Sequence, residues 1–287
     1  MRIFAIVNPI AGGGYAGEIY RSVLKQFEGF DLEFQLTTGP GNATELARNA
    51  LENGFTHLVC VGGDGTLNEI VQAIAGSEII LVPVSAGTGS DFVKSTELRD
   101  LPAVVEAIRK GTSRTIDLGR IARNGENRYF LNILEVGFGA QVMRRVNSRK
   151  KIHDGSSFTS AVLASVPSYR PYPVSITHEN GTESISVAEM IIANGKYFGG
   201  GMLAAPSAEL SDGLLDVHIV HGAGRIQLLA KLRKLRDGSH VNDKVVTSMR
   251  TSAMKIDGEA PIEIDGENFG NLPIEVGVER DAIRLIS

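Results

Sequence analysis

Apolar and polar positions over the first 116 residues alternate in two rhythms. Short β-rich runs at 3–7, 32–37, 57–61 and 79–84 read as strands. Between them, 16–27, 43–53 and 67–75 have the length and period of helices, and 102–110 supplies a fourth. Strand and helix in alternation predict βαβ units around a largely parallel, doubly wound sheet. After Asp117 the pattern shortens to β runs at 128–134, 174–178, 185–194, 215–220 and a broken stretch over 254–286. Asn180-Gly181, Asp212-Gly213, Asp257-Gly258 and Asp265-Gly266 punctuate these runs as turns. One helical stretch, 225–236, interrupts them. The expectation is an α/β domain over 1–116 followed by a mainly β, sandwich-like domain over 117–287.

Composition narrows the function classes. Hydrophobic residues make up 43% and charged residues 22% of 287, which is the balance of a folded globular chain. Net charge is -4, against any protein held to nucleic acid by general electrostatics. Residues 1–116 carry 9 basic and 13 acidic side chains, so a phosphate site there has to be built from backbone amides. The single cysteine, Cys60, excludes an intrachain disulfide and reads as inert core. No apolar run reaches the length of a membrane span, and the N-terminal apolar run is too short for a signal segment, so the expected address is cytoplasmic.

Glycine is in excess, at 33 residues, and it concentrates in three loops at the ends of predicted strands. They are Asn8-Pro9-Ile10-Ala11-Gly12-Gly13-Gly14, Gly62-Gly63-Asp64-Gly65-Thr66-Leu67-Asn68-Glu69 and Gly87-Thr88-Gly89-Ser90-Asp91-Phe92. In an open α/β sheet, ligands sit outside the carboxyl ends of the strands, so the three loops converge on one crevice. Successive N–H groups at a helix start cradle phosphate oxygens, and the second loop opens directly into a helix. Thr66 can add a hydroxyl, and Asp64 can hold Mg²⁺ or orient a transferring phosphoryl group through water. No Walker A loop occurs.

These loops resemble the signature loops of the diacylglycerol kinase catalytic superfamily, in its bacterial soluble lipid kinase branch. Gly-Gly-Asp-Gly-Thr alone is shared with NAD kinases. The resemblance extends through Asn194-Gly195 with Phe198-Gly199-Gly200-Gly201, through Pro206 and Ala208 into Asp212-Gly213-Leu214-Leu215-Asp216, and through Asp265-Gly266-Glu267, so it covers nearly the whole chain. It implies ATP held by Asn8, Pro9, Ile10, Ala11 and Gly12, by Thr37, by Gly63, Asp64, Gly65, Thr66, Leu67, Asn68 and Glu69, and by Thr88. It also implies a β-sandwich second domain and an active site in the cleft between the domains. Ser90 departs from the family, which usually has asparagine there.

Phosphoryl transfer to a lipid hydroxyl needs a proton acceptor, and a carboxylate is the natural one. Two Ile-Asp-Gly-Glu tetrads occur, at 256–259 and 264–267, and chemistry alone does not rank them. The resemblance favours the second, with Glu267 as acceptor and Asp265 beside it as a metal or hydroxyl partner. It further implies a structural Mg²⁺ on the Asp212 carboxylate and the Glu209 and Leu214 carbonyls. His218 and His221 straddle a strand end and make no metal pair.

The expected activity is ATP- and Mg²⁺-dependent phosphorylation of a lipid at a membrane surface, most simply diacylglycerol to phosphatidic acid. The rivals are an NAD kinase-like enzyme and a nucleotide- or lipid-binding regulator without turnover. Arg144, Arg145, Arg149, Lys150 and Lys151 form a basic run suited to anionic headgroups. The stretch 225–236, with Ile226, Leu229, Leu232 and Leu235 at spacing of three, reads better as a packed helix. A homodimer is compatible with the sequence.

Overall fold

Parallel pairing joins β1 (Arg2–Val7) to β2 (Asp31–Leu36) on one side and to β3 (His57–Gly62) on the other, and β4 (Ile80–Ser85) follows β3. All six residues of β3 are buried, as expected of a strand covered on both faces. The computed structural model describes residues 1–14, 16–86, 90–96, 98, 100–148, 155–222, 224–225 and 233–287. They divide into two units, one of Met1–Leu118, Gly199–Gly201 and Glu279–Ser287, the other of Gly119–Phe198 and Met202–Val278.

In the first unit, alternate strand residues Ile3, Ala5, Val7, Val59, Val61, Val82 and Val84 share a core with Val23 and Phe27 of α1 (Ala16–Gln26). Val104, Val105 and Ile108 of α5 (Leu101–Lys110) join them. The other face, with Phe4, Ile6, Leu58, Cys60 and Leu81, belongs to α2 (Asn42–Glu52) and α3 (Asp64–Ile74). Helices on both faces make the sheet doubly wound. Between α3 and α5 lies the single turn α4 (Asp91–Lys94). Asp100 starts α5 by accepting the Ala103 N–H, and Gly111 ends it at φ 69°. Burial drives the Cys60 thiol pKa far up, and the carboxylates of Asp64 and Glu69 push it the same way, so the thiol is inert core.

The second unit is mainly antiparallel. Its strands are β5 (Ser113–Arg123, begun in the first unit), β6 (Glu126–Phe130), β7 (Ile133–Gly137), β8 (Tyr172–His178), β9 (Gly181–Ala193), β10 (Tyr197–Phe198), β11 (Met202–Leu203), β12 (Leu215–His221), β13 (Val246–Thr251), β14 (Ala253–Gly258), β15 (Pro261–Ile264), β16 (Glu267–Asn271) and β17 (Ile274–Ile286, ended in the first unit). Asn124-Gly125, at φ 52° and 84°, closes the β5–β6 hairpin as a two-residue turn. The 13-residue β9 pairs with β8 along its first half and with β7 and β12 along its second, so the strands close over one apolar core.

Three features depart from the sequence reading. Helix α3 begins at Asp64, three residues earlier than the apolar period suggests, because Gly63 takes the N-cap position and an acidic residue suits the first turn. Two unanticipated helices, α6 (Phe138–Ser148) and α7 (Gly155–Ser165), join the β unit. A contiguous second domain over 117–287 gives way to an interleaved one, because Arg284 and Leu285 pair in parallel with Ile80 and Leu81 of β4. Among the described residues no helix is long and apolar enough to cross a membrane. Residues 226–232, most of the stretch read as a packed helix, lie outside the described residues, as do Arg149, Lys150 and Lys151.

Beneath the start of α6 lie three buried glutamates. Glu263 on β15 stands directly opposite Glu135 on β7, and Glu189 on the next strand accepts the Gly139 N–H. Burial pushes Glu135 up to about 7, and burial together with repulsion from Glu135 raises Glu189 and Glu263 well above the ordinary carboxylate range. Unfolded, these groups titrate near ~4.3, so the stability they confer is full below that pH and is lost as pH rises through about 7. Thermal unfolding from pH 5 to pH 8 should therefore show a falling midpoint, about 1.4 kcal/mol per pH unit for each extra proton held. Glu135→Gln should flatten that slope, and a level wild-type profile would refute the account.

Candidate active site

From β1 the chain runs outward to β2 and returns to β3 on the opposite flank of β1, so strand order reverses between β1 and β3. The carboxyl ends of strands at such a reversal open a crevice where ligands bind. The Asn8 loop and the Gly62-Gly63 step both leave from there. Asn8 ties them together: its N–H donates to the Val61 carbonyl (2.9 Å), its Nδ2 to Thr66 Oγ1 (2.9 Å), and its Oδ1 accepts the Ile10 N–H (3.2 Å). Beyond exposed Pro9 and Ile10, the Ala11 N–H returns to the Asn8 carbonyl, and Gly12 and Gly13 adopt φ of 62° and 70°.

The first turn of α3 faces this crevice, and its N-cap position is held by Gly63, which has no side chain to cap it. Unsatisfied N–H groups at a helix start, with the helix dipole behind them, favour an anion. The glycines here divide by role. A Cβ on Gly62 would lie 2.8 Å from Thr66, so packing demands that glycine. Gly63 and Gly65 have nothing within 4 Å of where a Cβ would stand, so the fold itself does not require them. Their bareness keeps the main chain open to a ligand.

The acidic residues of this segment hold neighbouring loops. Asp64 accepts the Asp91 and Phe92 N–H groups, one on each oxygen, both at 2.9 Å, and so starts α4. Glu69 accepts the Gly41 N–H (2.9 Å) and the Ala43 N–H (3.0 Å) and starts α2, while its carbonyl takes the Thr44 hydroxyl. Asp91 continues the chain of contacts, accepting the Gly200 N–H (2.8 Å) and pairing with Lys94 (2.9 Å). Asp64, expected to hold Mg²⁺ or to orient a transferring phosphoryl group through water, has one of the Asp91 and Phe92 amides on each carboxylate oxygen. Leu67 and Asn68 are buried in the body of α3, and Thr37 anchors its N–H on Val7. Ser90, at the N-cap position of α4, accepts the hydroxyl of Ser85 at the end of β4 (2.7 Å). Thr88 and the rest of 87–89 lie outside the described residues.

In the β unit the two similar tetrads fold differently. Asp265, at φ 45°, accepts three main-chain N–H groups from the β6–β7 turn: Leu131 (2.8 Å), Asn132 and Ile133 (both 3.0 Å). Helix α6 clamps the β15–β16 hairpin that carries Asp265, Asn147 donating to the Gly266 carbonyl (3.1 Å) and Arg144 to the Gly270 carbonyl (3.0 Å). Glu267 follows with a half-exposed carboxylate ion-paired to Arg128. Among the described residues Asp257 of the first tetrad has only Lys255 as an ion-pair partner, 3.8 Å away at the surface. His218 is buried on Ser248 (2.8 Å), and His221 meets Thr247 instead (2.7 Å).

Comparison with known proteins agrees with both halves of this arrangement. The profile of the diacylglycerol kinase catalytic domain matches residues 2–121, and that of the YegS C-terminal NAD kinase beta sandwich-like domain matches residues 132–287. The chain belongs to the diacylglycerol kinase and YegS-like family. A protein named diacylglycerol kinase from Mycobacterium tuberculosis strain H37Rv is 29% identical over 99% of this chain and 94% of its own length. One of the same name from Bacillus subtilis is 27% identical over 94% and 91%. Among solved structures, a diacylglycerol kinase from Bacillus anthracis superposes with a TM-score of 0.72 at 20% identity, covering 99% of this chain and 96% of that one. An NAD kinase from Archaeoglobus fulgidus in complex with ATP gives 0.57 at 15%, covering 100% and 94%.

The diacylglycerol kinase family implies both ATP and a structural Mg²⁺, and the two fare differently. Open amides on α3 and the left-handed Gly12-Gly13 turn fit a phosphate chain. At the Mg²⁺ position the fit fails. Asp212 gives one oxygen to the Leu214 N–H (3.0 Å) and the other to the Arg250 guanidinium, so a positive charge already sits on the carboxylate of the donor set.

Arg128 and Asn147 did not stand out in the sequence, because each acts on a segment far from it in the chain. The contrast between the tetrads is directly testable. Asp265→Ala leaves three N–H groups without their acceptor and should cost about 2–4 kcal/mol in urea unfolding, whereas Asp257→Ala should stay within about 0.5 kcal/mol. Equal losses would remove the structural distinction between them.

Proposed function

We propose that this protein is a lipid kinase that transfers the γ-phosphoryl group of ATP to a lipid hydroxyl, converting diacylglycerol to phosphatidic acid. The uncapped start of α3 at the strand-order reversal, with Gly63 and Gly65 bare where packing does not demand it, carries the nucleotide half of this reading. The names of the Mycobacterium tuberculosis and Bacillus subtilis relatives support the acceptor.

ATP, bound as its Mg²⁺ complex, supplies the phosphoryl group. Asn8, Pro9, Ile10, Ala11 and Gly12, Thr37, the segment from Gly63 to Glu69, and Thr88 surround it, with main-chain N–H groups meeting the phosphate oxygens. Asp64 and Glu69 keep those loops in register through the amides they hold. Glu267 takes the proton of the lipid hydroxyl as that oxygen bonds to the γ-phosphorus and the bond to the β–γ bridging oxygen breaks, releasing ADP. Asp265 and Asn147 fix the turn that presents Glu267. The acceptor lives in a bilayer, so turnover occurs with the enzyme docked peripherally from the cytoplasmic side. Of the basic run expected to dock there, Arg144 and Arg145 make internal bonds to β16 and Ser168.

Labelled ATP offered with diacylglycerol vesicles, with a panel of other lipid alcohols, or with NAD tests the reading. Label in phosphatidic acid is expected. Label only in NADP would establish the NAD kinase alternative, and ATP binding without transfer would establish a regulator.

Two variants test the parts. Gly65→Ala should fold with unchanged or slightly raised stability, since alanine suits a helix better than glycine. It should nonetheless lower kcat/KM for ATP at least ~10-fold, the loss of about 1.4 kcal/mol of phosphate contact. Glu267→Gln should cut kcat by about 10²-fold or more while KM for ATP stays within about twofold. Undiminished turnover in either variant would refute the role assigned to that residue.

A further inference from the structure

At the Asp212 turn the family's implied metal and this chain's own residues disagree, and the disagreement has a specific content. We propose that Arg250 replaces the structural Mg²⁺, so that a guanidinium and not a metal ion closes this turn.

The backbone puts Arg250 there. In the antiparallel β12–β13 ladder Asp216 stands directly opposite Arg250, so the guanidinium emerges beside the turn by strand register. From that position Nη2 bonds to Asp212 and Nε lies 3.4 Å from the Asp216 carboxylate. One planar, permanently charged fork thus spans two carboxylates, a geometry a lysine ammonium does not reproduce.

The local charge calls for a cation. Asp216 is 4% exposed, so water does little to solvate a charge on its carboxylate. Arg250 supplies the opposing charge. Mg²⁺ requires near-octahedral oxygen coordination with several waters. It would have to displace the guanidinium from Asp212, and the displaced arginine would then stand next to it.

The full-length, nucleotide-free protein tests this without any turnover assay, so the result is independent of the kinase reading. Thermal unfolding of the wild type should give midpoints within about 1 °C of each other in millimolar Mg²⁺ and in EDTA. Arg250→Ala should lower the midpoint by about 3–6 °C in both, and Arg250→Lys should recover only part of the loss. A wild-type midpoint that falls in EDTA, or Arg250→Ala as stable as the wild type, would overturn the proposal. Should Arg250→Ala fail to fold, calorimetric titration of the wild type with Mg²⁺ decides alone. Absence of binding at micromolar concentration supports the guanidinium clasp, and one tightly bound ion per chain overturns it.

Discussion

Carboxylates that gather main-chain N–H groups are the constraint on which the α/β unit depends. Two of them, Asp64 and Glu69, stand on the first two turns of one helix and start two others, α4 and α2. Thr66 on the same helix receives Asn8 from the first loop. Each charge-assisted bond of this kind contributes about 1.5–3 kcal/mol. The first two turns of this helix thus set the spacing of the loops around its N-terminus. A unit with more acidic than basic side chains can in this way present a positive concavity.

The β unit treats its acids by the same economy of charge, with three different partners. Asp265 takes three amides and bends the chain at positive φ to do so. Glu135, Glu189 and Glu263 are buried beneath a helix start and hold protons instead. Asp212 and Asp216 share a guanidinium. Buried or half-buried negative charge is tolerable only when one of these partners is present, and the choice decides what each carboxylate can still do. Glu267, half-exposed, is held by one arginine at its edge.

The first-half strands were legible in the sequence because fully covered strands leave short apolar runs, and the three loops because glycine clusters at strand ends. The start of α3 was not, since Gly-Gly-Asp-Gly-Thr reads as loop by composition while Gly63 serves as a cap. Helix α6 hid behind its own basic residues, although Phe138, Val142 and Val146 fall at helical spacing. The hydrogen-bond roles were out of reach for a simpler reason, sequence distance. Asp265 meets Leu131, 134 positions away, and Glu267 meets Arg128 across 139. Periodicity and motif spacing carry no information about such pairs.

The last strand of the α/β sheet comes from residues made after the whole β unit. Arg284 and Leu285 flank β4, and Glu78 and Arg284, joined by a hydrogen bond, are 206 residues apart. On a ribosome, β4 therefore waits with an unpaired edge while some two hundred residues are added, and contacts of such long separation form slowly. The α/β unit is translated ahead of the β unit yet sealed after it, which makes its open edge the point where a nascent chain of this kind most needs protection.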